Sequence, residues 1–236
     1  MIKQNLLLTH DLGANAKTTA ATLTHCSVSG HTHTAFGIEY HADCERLNWS
    51  MVTGWLGDGK APAFRYNKNN KKRRPIVGAG AIIGSKYRAL VISDLHLPYN
   101  HPDAIKFLVA IQKGYGLDKV ICVGDILDHH TSSYHEFESG AYSPTEELKR
   151  SRDLCQELES HFPKMLISVG NHDIMAKRKA KTAGIPEEYL KDYNDFLGLK
   201  GGWSWCDSHY IPIGDAVPEL CPMIMDKKGR WIGRVL

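Results

Sequence analysis

Histidine, aspartate and asparagine recur in five short motifs along the chain. The motifs are TH at Thr9–His10, GHTH at Gly30–His33, SDLH at Ser93–His96, GDILD at Gly124–Asp128 and GNHD at Gly170–Asp173. Imidazole nitrogens, carboxylate oxygens and an amide oxygen suit divalent ions such as manganese, iron, zinc or nickel rather than a soft thiolate site. A carboxylate can also bridge two ions about 3.5–4 Å apart, as in two-metal hydrolases that act on phosphate esters. The donor types therefore predict a site for a pair of divalent cations.

Each motif follows a short apolar run that is typical of a buried strand. The runs are NLLLTH, HCSVSGH, RALVISD, KVICVGD and KMLISVGN. Near-continuous apolar runs of this length favour strands that are covered on both faces. Ligands of α/β sheets collect at the carboxyl ends of such strands, so we expect the five motifs to meet at one edge.

Helical patterns alternate with these strands. They cover residues 102–114, 143–162 and 186–198. The second begins with Ser143 and carries Glu146 three residues later, which is a capping-box signature. Alternation of strands and helices predicts an α/β fold built from layers.

The remaining segments are predicted to form strands and hairpins. They run from residue 34 to 83 and from residue 203 to the end, with a turn at DKKG, residues 226–229. The basic stretch NKNNKKRR at residues 67–74 is most simply a solvated loop. Because no linker rich in Pro, Gly or Ser interrupts the chain, we expect a single domain over residues 1–236.

Composition limits the class of protein. The chain has 236 residues with 42% hydrophobic content, which is enough for one core, and its net charge of +3 does not demand a nucleic-acid partner. The six cysteines form no CxxC pair, so buried free thiols are expected. No signal peptide and no membrane span are predicted. We therefore expect a soluble cytoplasmic protein without a membrane partner.

Together the motifs resemble those of the calcineurin-like metallophosphoesterase superfamily. The resemblance implies a β-sandwich flanked by helices and two divalent cations that activate water for attack on phosphorus. One cation would be held by Asp94, His96, Asp125 and His33. The other would be held by Asp125, Asn171, His10 and His31. His172 would donate a proton to the leaving group, with Asp173 orienting its ring.

The order of the motifs differs from that of the family, in which Asp-x-His usually comes first and Gly-His-x-His last. The simplest account is a circular permutation or another shuffling of segments. Residues 1–84 would be the C-terminal half placed first, followed by the half at 87–211 and by closing strands at 212–236. On this account a strand near Ile76–Ile83 pairs with one near Met223–Met225.

Several residues beside the motifs have two interpretations. Asp128 could orient a metal ligand or cap a helix, and His129 and His130 could contact substrate phosphate or lie exposed in a loop. Residues 176–181, AKRKAK, could bind flanking phosphates or form a solvated helix face.

The substrate is left open between several classes. Protein phosphatases that resemble this family carry Arg-Gly at positions 129–130, so His129-His130 disfavours a phosphoprotein. The main prediction is a phosphatase or phosphodiesterase. The alternatives are a nuclease-like phosphodiesterase on DNA or RNA and a non-catalytic binding scaffold that contains metal.

Overall fold

The computed structural model describes residues 4–12, 16–23, 25–42, 47–64, 78–133, 140–226, 228 and 230–232. Its strands are β1 Gln4–Thr9, β2 Cys26–Ser29, β3 Gly37–Ala42, β4 Leu47–Val52, β5 Gly78–Ile83, β6 Arg88–Ile92, β7 Lys119–Cys122, β8 Met165–Ser168, β9 Trp203–Cys206, β10 Ser208–Gly214 and β11 Val217–Pro222. Its α-helices are α1 Ala16–Thr22, α2 Ala104–Tyr115, α3 Pro144–His161, α4 Met175–Thr182 and α5 Tyr193–Leu197.

The strands form two sheets. One has five strands in the order β10-β1-β2-β4-β3, and the other has six in the order β11-β5-β6-β7-β8-β9. In the first sheet β1, β2 and β4 are parallel neighbours. In the second sheet β6 to β9 are parallel neighbours. Parallel strands end at the same edge, so each sheet presents several carboxyl ends together.

A hydrophobic core lies between the two sheets. Leu8, Val28 and Met51 from the first sheet are packed with Val91 and Ile121 from the second. Each such side chain contributes roughly 1.5–3 kcal/mol when it is fully buried. These contacts hold the edges of the two sheets in a fixed relation.

The opposite faces of the sheets are covered by helices. Leu108 of α2 and Leu158 of α3 are packed with Leu90 and Ile92 on the outer face of the six-stranded sheet. Helix α1 contacts β3 and β4 of the five-stranded sheet. The predicted layered sandwich flanked by helices is therefore confirmed.

Two of the predicted helices are confirmed in place. Helix α2 covers most of residues 102–114, and α3 covers most of 143–162. Ser143 caps α3, because its hydroxyl accepts a hydrogen bond from the backbone N–H of Glu146 at 3.3 Å. The capping signature therefore located the start of this helix correctly.

The helix predicted over residues 186–198 is wrong as one element. The chain forms a 3₁₀ turn at Glu187–Tyr189 and then α5. Leu190 is extended between them, and the Asp192 carboxylate accepts from the N–H of Asp195 to start the new helix. Helix α1 was not predicted.

The strand that pairs with β5 lies directly before the segment predicted for it, Met223–Met225. β5 pairs antiparallel with β11, in the register Gly78 to Pro222, so the predicted pairing is confirmed but its bounds were placed too late in the chain. Met225 instead bridges Trp231, and the Asp226 N–H donates to the Arg230 carbonyl at 2.9 Å. These local bonds use the backbone groups that a longer strand would need. Ile76 and Val77 lie outside the described residues, as does the basic stretch at 67–74.

Two further expectations concern membranes and cysteines. None of the described helices combines the length and the apolar character that crossing a membrane requires. Among the described residues the cysteines are unpaired, with Cys26, Cys122, Cys155 and Cys221 buried and Cys206 exposed. The expected buried thiols are thus present at four positions.

Candidate metal centre

The five motifs meet where the carboxyl ends of β1, β2, β6, β7 and β8 come together. Their backbone is unusual. In the described part of the chain the non-glycine residues with a left-handed backbone, with φ from 48° to 67°, are His31, Asp94, His96, Asp125 and His129. Such conformations cost roughly 1–3 kcal/mol each and cluster at functional sites. The surrounding packing must hold these residues against that cost.

A first group of donor atoms surrounds the Asn171 side chain. Its Oδ1 lies 3.0 Å from Nε2 of His10 and 2.9 Å from Nδ1 of His31. Nε2 of His10 is also 3.0 Å from Oδ2 of Asp125. Ligands about 2.0–2.2 Å from a shared ion lie roughly 2.8–3.5 Å from one another, so these separations fit one cation.

A second group lies beside the first. Nε2 of His33 is 3.2 Å from Nε2 of His96 and 3.4 Å from Oδ1 of Asp94. The Asp94 carboxylate also accepts the backbone N–H of His31 at 3.1 Å, which ties the two groups together. Two ring nitrogens and a carboxylate oxygen therefore face one point.

Asp125 lies between the two groups. Its Oδ2 is 3.0 Å from His10 Nε2 and 4.0 Å from His96 Nε2. Within the described residues this buried oxygen accepts no hydrogen bond of good geometry, and its close neighbour is the His10 ring. Burial raises the pKa of Asp125, but the nearby His10 outweighs that effect and lowers the pKa below its usual value. A buried anionic oxygen beside a titratable imidazole is suited to a cation.

In two histidines of the centre, the Nδ1 atom of the ring is hydrogen-bonded to another part of the protein. Nδ1 of His10 donates to the Val123 carbonyl at 2.7 Å, and Nδ1 of His96 donates to Oδ1 of Asp128 at 2.6 Å. These bonds direct Nε2 of each ring towards the site, as metal-binding histidines require. The residues present therefore fit a pair of divalent cations.

The pKa values of His10 and His96 are shifted in opposite directions. Burial lowers the pKa of His10, but Asp125, together with Asp94 and the Val123 carbonyl, outweighs that effect and raises the pKa to about 10. Burial lowers the pKa of His96 well below its usual value. A cation at Asp125 would compete with the proton on His10, because metal ligands must be deprotonated.

His172 lies at the rim of the centre. Its Nδ1 donates to the Asp128 carbonyl at 2.6 Å, and its backbone N–H donates to Oδ1 of Asp125 at 2.8 Å. Its side chain is 16% exposed, in contrast to the fully buried His96. Burial lowers the pKa of His172, but Asp125 and Asp128 outweigh that effect and raise it. The His172 ring is therefore fixed by a hydrogen bond and remains accessible to solvent.

Residues 87–228 match the family model described as calcineurin-like phosphoesterase. The chain belongs to this family. The match includes SDLH, GDILD and GNHD, whereas His10, His31 and His33 precede it. Comparison with curated proteins finds no match, and neither does comparison with solved structures. Membership implies metal-dependent hydrolysis of phosphate esters, and the structure adds the three histidines to that matched region.

The predicted contact between Asp173 and the His172 ring is wrong. The Asp173 carboxylate accepts from the backbone N–H groups of Asp125 at 2.9 Å, Leu127 at 3.0 Å and Gly170 at 2.9 Å. It therefore joins the loops after β7 and β8. Burial raises the pKa of Asp173 to about 6. The ring of His172 is held by the Asp128 carbonyl instead.

Contacts in the structure also decide between the two interpretations of Asp128, His129 and His130. Asp128 orients His96, as one interpretation predicted, and caps none of the described helices. His130 is buried and His129 is partly buried, so the exposed-loop interpretation of this pair is wrong. His96, Asp128 and His172 also come close enough to hold an ion, but the carboxylate and carbonyl of Asp128 already accept from both rings. We therefore interpret Asp128 as the residue that orients the rings of His96 and His172 beside the metal centre.

An aromatic wall behind this centre was missed by the sequence analysis. The Trp55 ring stacks on His33 with centroids 5.3 Å apart and planes at 15°, and Phe64 packs edge-on against His96 at 5.3 Å. Trp55 is buried. One signal could have found it: Trp55 follows β4 just as His31 and His33 follow β2, and these strands are neighbours.

Proposed function

We propose that this protein is a dinuclear metal-dependent phosphoesterase. The observation that carries the proposal is the position of Asp125 Oδ2, between one donor group around Asn171 and another around His96. A carboxylate in that position can serve both cations of a two-metal site. The free thiols of the described residues suit a reducing compartment such as the cytoplasm.

The ligands divide into two sets. One cation would be held by Asp94, His96, His33 and Asp125. The other would be held by Asp125, Asn171, His10 and His31. Divalent cations bound there would neutralise phosphate charge and activate water for attack on phosphorus.

His172 is proposed to act as the general acid. Its Nδ1 is engaged with the Asp128 carbonyl, which leaves Nε2 for the departing oxygen of the ester. The raised pKa of His172 keeps a proton available for this transfer. Asp173 takes part through the backbone of the two loops, where it fixes the position of Asp125.

Metal analysis and a substrate panel test the proposal. We expect two ions per chain and Mn²⁺-stimulated hydrolysis of aryl phosphate mono- or diesters. Asn171→Ala should lose most activity and bind less metal. His172→Ala should lose about 10²- to 10⁴-fold in rate, the usual contribution of general acid catalysis, while keeping both ions. A folded protein that binds ions but hydrolyses no ester with any divalent metal would support a non-catalytic scaffold.

A nuclease-like phosphodiesterase is a second candidate because of helix α4. This helix begins two residues after Asp173, carries Lys177, Arg178, Lys179 and Lys181, and buries no side chain. Such a surface can hold the phosphates of a long substrate. Turnover on oligonucleotides should then fall steeply with added salt, whereas turnover on a small ester should not.

A further inference from the structure

Three contacts from the loop after β7 hold His172, and they reach both sides of its Cα atom. The backbone N–H of His172 donates to Oδ1 of Asp125 at 2.8 Å, and its ring Nδ1 donates to the Asp128 carbonyl at 2.6 Å. The third contact comes from His129, whose Nδ1 donates to the His172 carbonyl at 2.9 Å. Bonds to the N–H and the C=O of one residue fix the direction of its Cα–Cβ bond, and the bond at Nδ1 then fixes the angle of the ring.

The bond from His129 is not needed to satisfy the His172 carbonyl. This carbonyl also accepts the backbone N–H of Met175 at 3.1 Å, in the turn that leads into α4. It keeps a partner when the His129 ring is removed, so no acceptor is left unpaired. The ring of His129 instead adds a second attachment, which joins the loop after β7 to the loop after β8.

The loop that carries His129 is itself attached to helix α3. The buried Glu147 carboxylate accepts the backbone N–H groups of His130 at 2.7 Å and Thr131 at 3.2 Å. His129 directly precedes these two residues and has a left-handed backbone with a φ of 48°. Because its neighbours are fixed, the side chain of His129 reaches the His172 carbonyl from a rigid base.

We propose that His129 is a positioning residue, which keeps the ring of His172 in the orientation that proton transfer requires. The inference rests on the proposed function, in which His172 is the general acid. In that reaction the P–O bond to the leaving group breaks, and the departing oxygen takes a proton from Nε2 of His172. His129 neither gives nor takes a proton. Its bond prevents a displacement of His172, since an error of about 1 Å costs roughly 10²-fold in catalysis.

The test compares His129→Gly with His129→Asn. Glycine and asparagine both adopt a left-handed backbone, but only asparagine has a side-chain N–H that can donate to the carbonyl. The substrates are phenyl phosphate and 4-nitrophenyl phosphate, or their methyl diesters if the wild type hydrolyses these faster. 4-Nitrophenolate is a weak base that departs without a proton, whereas phenolate is a stronger base whose departure needs one.

His129→Gly should lower kcat for the phenyl ester about tenfold and kcat for the nitrophenyl ester less than about twofold. A displaced general acid loses part of its contribution, which is about 10²- to 10⁴-fold, only where the leaving group needs a proton. His129→Asn should recover most of this loss. In His172→Ala no acid is left to position, so adding His129→Gly should lower kcat for neither ester further. The variants should keep both ions.

His161→Gly is the control, because His161 is an exposed histidine at the end of α3 that lies away from Glu147. It should keep the wild-type ratio of the two esters.

An equal loss of kcat on both esters in His129→Gly would mean that His129 contacts the substrate phosphate, and it would overturn the positioning role. A further loss in the His172→Ala background, or a loss of ions from His129→Gly, would also overturn it. In these cases the phosphoesterase proposal would stand. Failure of the wild type to hydrolyse any ester would remove both proposals.

Discussion

His33 is held differently from the other histidines of the centre. His10 and His96 are oriented by hydrogen bonds from Nδ1 to Val123 and Asp128. His33 stacks on the indole of Trp55. A ring that is positioned by stacking depends on the shape of its neighbour.

Trp55→Leu should therefore weaken cation binding. The His33 ring gains rotational freedom when the flat indole is removed, and loss of support around a metal ligand typically costs 10–100-fold in metal affinity. We expect about tenfold weaker Mn²⁺ binding by calorimetry and a smaller loss for Trp55→Phe, which keeps a flat ring.

Trp49→Phe is the control, since Trp49 is buried between the sheets. It should lower the free energy of unfolding while keeping Mn²⁺ affinity. Equal weakening by Trp49→Phe would show that the effect is one of general stability.

At the scale of elements, the loops after β7 and β8 are in van der Waals contact. A Cβ at Gly170 would lie 2.1 Å from Oδ1 of Asp125 and 2.4 Å from its backbone nitrogen. Only glycine leaves room for Asp125 at this point. The close approach also explains why Asp173 can accept N–H groups from both loops.

Gly170→Ala should displace Asp125 from its place between the donor groups. We expect a fall in kcat/KM of more than about tenfold and fewer than two bound ions per chain, because misplacement of about 1 Å costs roughly 10²-fold in catalysis. Gly37→Ala in β3 is the control, since its added methyl group would meet nothing within 4 Å. Metal analysis and steady-state kinetics on both variants measure the difference. Unchanged ion content in Gly170→Ala would contradict this account of the loop contact.

The sequence predicted the elements that have strong local signals. Apolar runs located the strands that carry the motifs, and Ser143 with Glu146 located the start of α3. Non-local pairing was harder. β5 and its partner strand, Val217–Pro222, are more than 130 residues apart in the chain. Nothing in the local pattern distinguishes this segment from Met223–Met225 as the partner. The break near Leu190 was missed because residues 186–198 keep a helical pattern across it.

Within the site, residue types were easier to predict than contacts. The motif residues converge as expected, because strand direction alone delivers them to one edge. The carboxylate of Asp173 could bond to a ring or to backbone N–H groups, and the sequence does not distinguish these. Trp55 and His33 follow neighbouring strands of the first sheet, so their stacking contact became visible only with the sheet order.

At the scale of the whole molecule, the centre depends on two sheets that come from separate parts of the chain. β1, β2, β3 and β4 come from residues 4–52, ahead of the region that matches the family. β10, from residues 208–214, pairs with β1 and joins this early segment to the late one. The permuted origin and the single-domain organisation remain predictions. A site assembled across sheets requires the ligands to meet in space, whatever their order in the chain.

A chain that begins at Tyr87 should therefore fail to form the centre. It lacks β1 to β5 and exposes Val91, Ile121 and Val123 of the inner sheet face. Each of these contributes roughly 1.5–3 kcal/mol when buried, against a total stability of about 5–15 kcal/mol for a typical domain. We expect no cooperative unfolding transition and strong binding of a hydrophobic dye.

The 236-residue chain with His10, His31 and His33 all replaced by alanine separates the loss of ligands from the loss of fold. Its sheets keep their core, so it should unfold cooperatively and bind little dye while it loses both ions. Calorimetric unfolding and metal analysis of the two proteins distinguish these outcomes. Suppose instead that the chain from Tyr87 folds cooperatively and hydrolyses esters. The first 86 residues would then supply neither the core nor the ligands, and this result would contradict the convergence of the two sheets on one centre.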